Sequence, residues 1–114
     1  MPNEEQLKAF EAVSNKIVIS LKEAGIDCSI TSITKNRNVI IEFKDKRIGS
    51  MFVGEKPRYD VYKYKFNLRS DLGLSKSNWL NDEGVWRYYT PIENWKALVK
   101  LVINRFKQLK QDGL

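Results

Sequence analysis

The chain contains no histidine and a single cysteine, Cys28, among its 114 residues. The absence of histidine excludes Ser-His and Cys-His catalysis, histidine general bases and most zinc chemistry. One cysteine cannot form an internal disulfide, and it cannot complete a zinc site without other soft ligands. An enzyme built on this chain would have to use carboxylates, lysine, tyrosine or serine. No cofactor is predicted.

The sequence also lacks long hydrophobic runs. Its longest strictly apolar runs, such as 17–19 and 39–41, have only a few residues. A membrane span requires about 18. The first residues carry two glutamates and no basic flank before an apolar run, unlike a signal peptide. We therefore expect a cytoplasmic protein with no membrane partner.

The length of the chain is typical of one domain, and residues 1–114 are predicted to form it. A folded chain of this size buries roughly two-thirds of the surface that its unfolded state exposes. Because 42% of the residues are hydrophobic, the chain can build a core without disulfides or metals.

The N-terminal segment shows the apolar spacing of an amphipathic helix. Asn3 and Gln6 form a capping-box pattern, and two glutamates follow Asn3 in the first turn. Gly25 is suited to the left-handed conformation that commonly ends a helix. These signals predict a helix over about 4–24.

A second apolar stripe of helical spacing occupies the C-terminal segment. Thr90 is suited to the N-cap, Pro91 to the first helical position, and Glu93 to the closing residue of a capping box. This is the strongest local signal in the chain, and it predicts a helix over about 91–111.

Between the helices, apolar and polar residues alternate as in strands that are buried on one face. A further short strand is predicted at 85–89, after a loop at 70–84. Since the connections between the first four strands are short, we expect consecutive strands to be antiparallel. Those four strands are predicted within 28–34, 38–43, 48–53 and 59–69.

Together these elements predict an α+β fold in the order αββββ-loop-βα. An antiparallel sheet of about five strands would be flanked by N- and C-terminal helices packed on one face. In the fourth strand, we expect Tyr64 and Phe66 to pack against the helices. Lys63 and Lys65 would then lie on the opposite face, because a shift by one residue would bury two ammonium groups.

The net charge of +6 is concentrated in one part of the chain, residues 35–69, which hold ten Lys or Arg and four acids. A basic sheet face with nearby aromatic residues can follow a phosphate backbone and stack bases. We predict a non-enzymatic binding module whose partner is a nucleic acid or an acidic protein. The alternative is a solvated face whose lysines only prevent aggregation. The predicted binding residues are Arg37, Lys46, Lys56, Arg58, Lys63, Lys65 and Arg69.

Glu42 and Lys44 form an E-x-K pattern at the end of a hydrophobic strand, and Asp27 begins the preceding strand. This arrangement resembles the acidic-residue and E-x-K motif of restriction-endonuclease-like nucleases. The resemblance implies that two carboxylates hold Mg²⁺ while the lysine supports the attacking water, which requires no histidine. The alternative hypothesis is therefore a Mg²⁺-dependent nuclease. The core sheet of such nucleases is mixed and has helical crossovers, whereas an antiparallel meander is predicted here.

Three tryptophans, Trp79, Trp86 and Trp95, lie in or near the predicted loop. They either cap one end of the core or line a groove under the loop. A third hypothesis is therefore a protein-interaction domain that uses the aromatic 70–89 region. The end of the chain, with tryptophan and tyrosine ahead of the helix-start signal, resembles uncharacterised bacterial domains, which implies no residue roles.

Overall fold

The computed structural model of the protein describes residues 3–33, 38–54, 64–69, 78–82 and 85–111. In these ranges, two long helices at the N- and C-terminal ends accompany one sheet, so the predicted α+β class is confirmed. The elements are α1 (Glu4–Glu23), β1 (Cys28–Ile33), β2 (Val39–Phe43), β3 (Ser50–Gly54), β4 (Tyr64–Arg69), β5 (Asn78–Asp82), β6 (Val85–Pro91), a 3-10 turn (Ile92–Asn94) and α2 (Trp95–Gln111).

Both ends of α1 carry the predicted signals. The Asn3 N–H donates to the Gln6 side chain and the Gln6 N–H donates to the Asn3 side chain, both at 2.9 Å. At the other end, Gly25 has a φ of +86°, which L side chains rarely adopt. The Ile26 N–H then donates to the Leu21 carbonyl at 2.9 Å, which closes the helix with a Schellman motif.

The sheet is mixed, and the prediction of an antiparallel sheet is wrong. Among the described residues it has six strands in the order β1-β2-β3-β4-β6-β5, rather than about five. The pairs β1–β2, β2–β3 and β5–β6 are antiparallel. The pairs β3–β4 and β4–β6 are parallel, so the centre of the sheet consists of three strands that run in the same direction.

The parallel pairing of β3 with β4 is possible because both strands are short. Nine residues separate Gly54 from Tyr64, and an extended chain of that length spans about 30 Å. A strand of five residues is about 17 Å long. The connection can therefore return to the start of β3 without the dozen residues that a helical crossover requires.

Side chains of both helices and of alternate strand positions form a single apolar cluster. Phe66 of β4 is fully buried in it, as predicted, whereas Tyr64 is described through its backbone only. Burial of each large apolar side chain contributes about 1.5–3 kcal/mol. The members with no exposed surface are Ile17, Leu21, Val39, Ile41, Phe43, Met51, Val53, Phe66, Leu68, Leu98 and Val102.

The second face of the sheet is covered at β3. Ser50 and Phe52 alternate with the core residues Met51 and Val53, yet they are only 2% and 3% exposed. Phe52 lies outside the main apolar cluster. The alternation of charged residues in the sequence suggested that the whole face opposite the helices is an open polar surface. At β3 this face is instead buried.

The predicted start of the C-terminal helix is wrong. β6 continues through Pro91, the 3-10 turn follows, and α2 begins at Trp95. Thr90 is buried and pairs with Leu68 of β4, so it is a strand residue and not a helix cap. The neighbouring strand thus overrides the local helix signal. Pro91 occupies the last position of the ladder, where its missing N–H is tolerated.

The predicted loop at 70–84 is interrupted by β5, while 70–77 and 83–84 lie outside the described residues. β5 pairs with β6 in antiparallel register and forms one edge of the sheet. Asp82 pairs with Val85, so two residues join the strands. A connection of two residues is typical of a β-hairpin.

Candidate functional site

The hairpin of β1 and β2 brings together the three residues of the nuclease-like motif. Cys28 and Phe43 are paired and buried under the helices, so the residues that alternate with them belong to the other face. The Lys44 N–H donates to the Asp27 carbonyl at 3.0 Å. Asp27, Glu42 and Lys44 line one shallow groove of about 320 Å³, together with Ser29, Thr31 and Lys46.

The acidic groups that line this groove are the carboxylates of Asp27 and Glu42, and the charge of Glu42 is partly neutralised by Lys46. The Glu42 carboxylate lies 3.4 Å from the Lys46 ammonium, in an exposed ion pair. Among the residues that the structure describes, no group of three or more His, Cys, Asp or Glu side chains could hold a metal ion. A divalent cation here would therefore depend on the carboxylates of Asp27 and Glu42, completed by water as Mg²⁺ commonly is.

The mixed sheet removes one difference between this chain and the nucleases that the motif resembles. Their core sheet is mixed, and so is this one, with β3 and β4 parallel beside the antiparallel hairpins. This likeness concerns strand direction alone. Among the described residues no helix lies between β1 and β6, so the helical crossovers of such nucleases are not matched, and the likeness assigns no role to a residue.

Of the seven predicted binding residues, four lie outside the described residues: Arg37, Lys56, Arg58 and Lys63. Lys46 is exposed after β2 and pairs with Glu42. Lys65 is described through its backbone only, and Arg69 is half-buried at the end of β4. The structure therefore places Lys65 and Arg69 four positions apart on β4 and Lys46 at the hairpin groove.

Arg69 and Tyr89 make a cation–π contact on the face opposite the helices. Their neighbours Leu68 and Tyr88 belong to or pack against the core, so alternation assigns Arg69 and Tyr89 to the other face. The Arg69 guanidinium carbon lies 5.1 Å from the centre of the Tyr89 ring. Such a contact stabilises by about 0.5–1 kcal/mol at an exposed site. It places a positive charge and an aromatic ring side by side.

Sequence reasoning missed a further basic residue of this surface, Arg87. In the β4–β6 ladder, Lys65 is directly paired with Arg87, and Asn67 with Tyr89. The alternation of "VWRYY" could have assigned Arg87 and Tyr89 to one face, but the sequence did not reveal that β6 lies beside β4.

Two other residue types that the sequence singled out have structural explanations. Burial raises the pKa of the Cys28 thiol, so the group is neutral and unreactive at neutral pH. Trp79 pairs with Tyr88 across β5 and β6, and half-buried Trp95 packs against the core. The aromatic loop surface falls largely outside the described residues, and the protein-interaction hypothesis stays a prediction.

Neither helix of the described ranges is both long enough and apolar enough to cross a membrane. No protein-family model, curated protein or solved structure matches this chain. In the described residues, two surfaces carry the relevant chemistry: the hairpin groove of Asp27, Glu42 and Lys44, and the basic positions of β4 and β6.

Proposed function

We propose that the protein is a non-enzymatic nucleic-acid-binding module that uses the basic surface of its central parallel strands. This β4–β6 surface consists of Lys65, Arg69, Arg87 and Tyr89. The observation that carries the proposal is the direct pairing of Lys65 with Arg87 beside the Arg69–Tyr89 contact. By alternation, Lys65 and Arg87 belong to the face of Arg69 and Tyr89, so this face combines three cationic residues with an aromatic ring and is suited to an anion.

A nucleic acid matches the chemistry of this surface better than an acidic protein does. Guanidinium groups bind phosphates through two parallel hydrogen bonds, and Tyr89 offers a ring on which a base can stack. The net charge of +6 also increases the rate of encounter with a polyanion. Side-chain carboxylates of an acidic protein would satisfy the charges but would make no use of the ring.

The test compares oligonucleotide binding by the wild type and by Arg69→Gln/Arg87→Gln, measured by fluorescence anisotropy over a series of salt concentrations. Binding by the wild type should weaken linearly in log salt and depend little on sequence. The double variant should lower the salt slope by about 1.4 on single strands and about 1.8 on duplexes. Circular dichroism verifies that the variant is folded.

Lys8→Gln/Lys16→Gln is the matched control, because it removes the same charge from exposed positions of α1. Its salt slope should equal that of the wild type. Equal slopes for the wild type and the arginine variant would show that the β4–β6 surface does not bind nucleic acid. If the wild type binds no oligonucleotide at about 50 mM salt, an acidic protein becomes the better partner.

The second candidate is the Mg²⁺-dependent nuclease, favoured by the groove that Asp27, Glu42 and Lys44 share. Asp27 lies opposite Lys44, and Ser29 lies opposite Glu42, so the two carboxylates occupy diagonal positions. Diagonal neighbours in a sheet are about 7–8 Å apart at the backbone, within reach of side chains that share one ion. The ion pair of Glu42 with Lys46 opposes this function.

A plasmid-nicking assay with Mg²⁺ or Mn²⁺ decides this candidate. Glu42→Ala should abolish cleavage, because it removes one of the two carboxylates that would hold the metal. Glu93→Ala, which removes an exposed carboxylate from the 3-10 turn, is the control. Cleavage that survives Glu42→Ala would exclude this site as its source.

A further inference from the structure

The exposed side of α2 is basic along its whole length. The helix contains five Lys or Arg residues and no Asp or Glu. Four of them are exposed, and at 3.6 residues per turn they fall within about 80° of the helix circumference. We call this row the α2 lysine face; it consists of Lys96, Lys100, Lys107 and Lys110.

This arrangement stabilises the helix at some positions and opposes it at others. The Lys96 ammonium lies 5.7 Å from the centre of the Trp95 ring. The Lys110 ammonium lies 4.8 Å from the centre of the Phe106 ring, so both lysines make cation–π contacts. Lys96 and Lys100 are four residues apart, and Lys107 and Lys110 are three apart, so each pair sets like charges on neighbouring positions. Lys96 lies in the first turn, where the positive end of the helix dipole disfavours a cation. Only Lys107 and Lys110, near the C-terminal end, lie where cations are favoured.

The lysine face is accessible to a partner. All four members are exposed, and the row borders the apolar stripe of α2, whose residues Leu98, Val99, Val102 and Leu109 are buried in the core. Ile103 falls within the row but is half-buried and packs against the core. Arg105, the remaining basic residue of α2, is half-buried and donates to the Arg47 carbonyl at 3.3 Å.

The form of the lysine face favours an extended polyanion as its partner. Lys96 and Lys110 are 14 positions apart, about 21 Å along the helix, a length over which one strand of a duplex carries about six phosphates. Lysine is a compact charge on a flexible stem and contacts phosphates without demanding one geometry. Insertion into a lipid surface requires an exposed apolar stripe, and that of α2 is used by the core.

We propose that the α2 lysine face is a second nucleic-acid contact surface, specific for the phosphate backbone. It lies on the helical side of the sheet, whereas Arg69 and Tyr89 lie on the other side. One molecule can therefore hold two nucleic-acid segments, one on each side. The bridging activity depends on the proposed function of the β4–β6 surface, while the α2 contact stands without it.

A bridging experiment with the full chain tests this inference. Beads carry one short duplex, a second duplex bears fluorescein, and capture of the fluorescent duplex requires a protein that binds both. The wild type should capture it, and Lys100→Gln/Lys107→Gln should reduce capture to background while still binding a single duplex. Lys8→Gln/Lys16→Gln, with the same change of charge on α1, should capture as the wild type does.

The outcomes separate the two proposals. Undiminished capture by the α2 variant overturns the second surface. No capture by the wild type also overturns it if Lys100→Gln/Lys107→Gln binds a single duplex as tightly as the wild type does. If the α2 variant loses all duplex binding while Arg69→Gln/Arg87→Gln binds normally, the α2 surface stands and the β4–β6 proposal fails. If the wild type binds phosphatidylserine vesicles but no duplex, the partner is an anionic membrane and both nucleic-acid proposals are overturned.

Discussion

The two helices contribute to the same core but differ in how their charges are arranged. α1 begins with a capping box and two glutamates, and it carries acids and lysines in similar numbers. α2 follows a 3-10 turn, begins without a capping box and has no acidic residue. The charges of α1 support the helix, whereas those of α2 oppose it near its start. The difference indicates that α1 is a structural element and that α2 also presents a surface.

The largest expected effect tests whether the two helices contribute equally to the stability of the core. Leu21 of α1 and Leu98 of α2 are both fully buried. Leu21→Ala and Leu98→Ala should each lower the free energy of unfolding by about 2–5 kcal/mol, because each leaves a cavity. Urea denaturation measures both. A small loss for Leu98→Ala alone would show that α2 is not anchored as α1 is.

The next effect concerns the helix starts. Asn3→Ala removes the capping box of α1 and should cost about 1 kcal/mol of stability. Glu93→Ala removes the acid that the sequence suggested for a second capping box. It should change stability by less than about 0.5 kcal/mol, as expected for an exposed surface residue. If Asn3→Ala and Glu93→Ala lower the free energy of unfolding by equal amounts in urea denaturation, the inference that the two helices start differently is contradicted.

A charge reversal on the α2 lysine face should separate stability from binding. Lys100→Glu replaces a like-charge pair with Lys96 by an opposite pair and should stabilise the protein by about 0.2–0.5 kcal/mol. The same change should weaken duplex binding. Lys16→Glu on α1 serves as the control in both measurements. A loss of stability in Lys100→Glu, measured at low salt, would mean that Lys100 supports the fold.

The smallest effect involves the turn between β2 and β3, which contacts α2 through Arg105. The Arg47 guanidinium binds the Asp45 carboxylate at 2.8 Å and holds the pKa of that carboxyl below its usual range. The ion pair therefore adds stability above the unfolded pKa of about 3.9. This stability is lost as the pH falls through the folded pKa.

Urea denaturation of the wild type and Asp45→Asn at several pH values measures this contribution. The wild type should be slightly more stable at neutral pH, and the difference should disappear in acid. A difference that does not shrink at all as the pH is lowered from neutral through the folded pKa would assign the effect to another group.

The sequence predicts α1 well because its signals are local. Asn3 and Gln6 are three residues apart, and Gly25 and Ile26 contact the last turn of the same helix. The pairing of β1 with β2 is also local, since one short connection joins them. For the same reason, Asp27, Glu42 and Lys44 could be predicted to lie together, and they line one groove.

The centre of the sheet could not be predicted in this way. Alternation in β4 indicates which residues face the core, but it does not reveal that β3 and β6 are the neighbours. Thr90, Pro91 and Glu93 form a helix-start pattern, yet pairing with β4 keeps Thr90 in a strand. β5 was not predicted from the sequence, although Gly84 provides a turn signal between two strand-forming segments. Arg87 was missed because its neighbour Lys65 is distant in sequence.

The position of β6 between β4 and β5 has a consequence for how fast the chain folds. α1 and the β1–β3 hairpins involve contacts within the first 54 residues, whereas β4 gains its second neighbour only when β6 docks beside it. Closing such long loops costs entropy before any contact is gained, so rates fall as contacts become more distant in sequence. We expect the transition state to contain the N-terminal hairpins and to lack the β4–β6 ladder. Ile41→Val should then slow refolding, and Leu68→Ala should mainly accelerate unfolding.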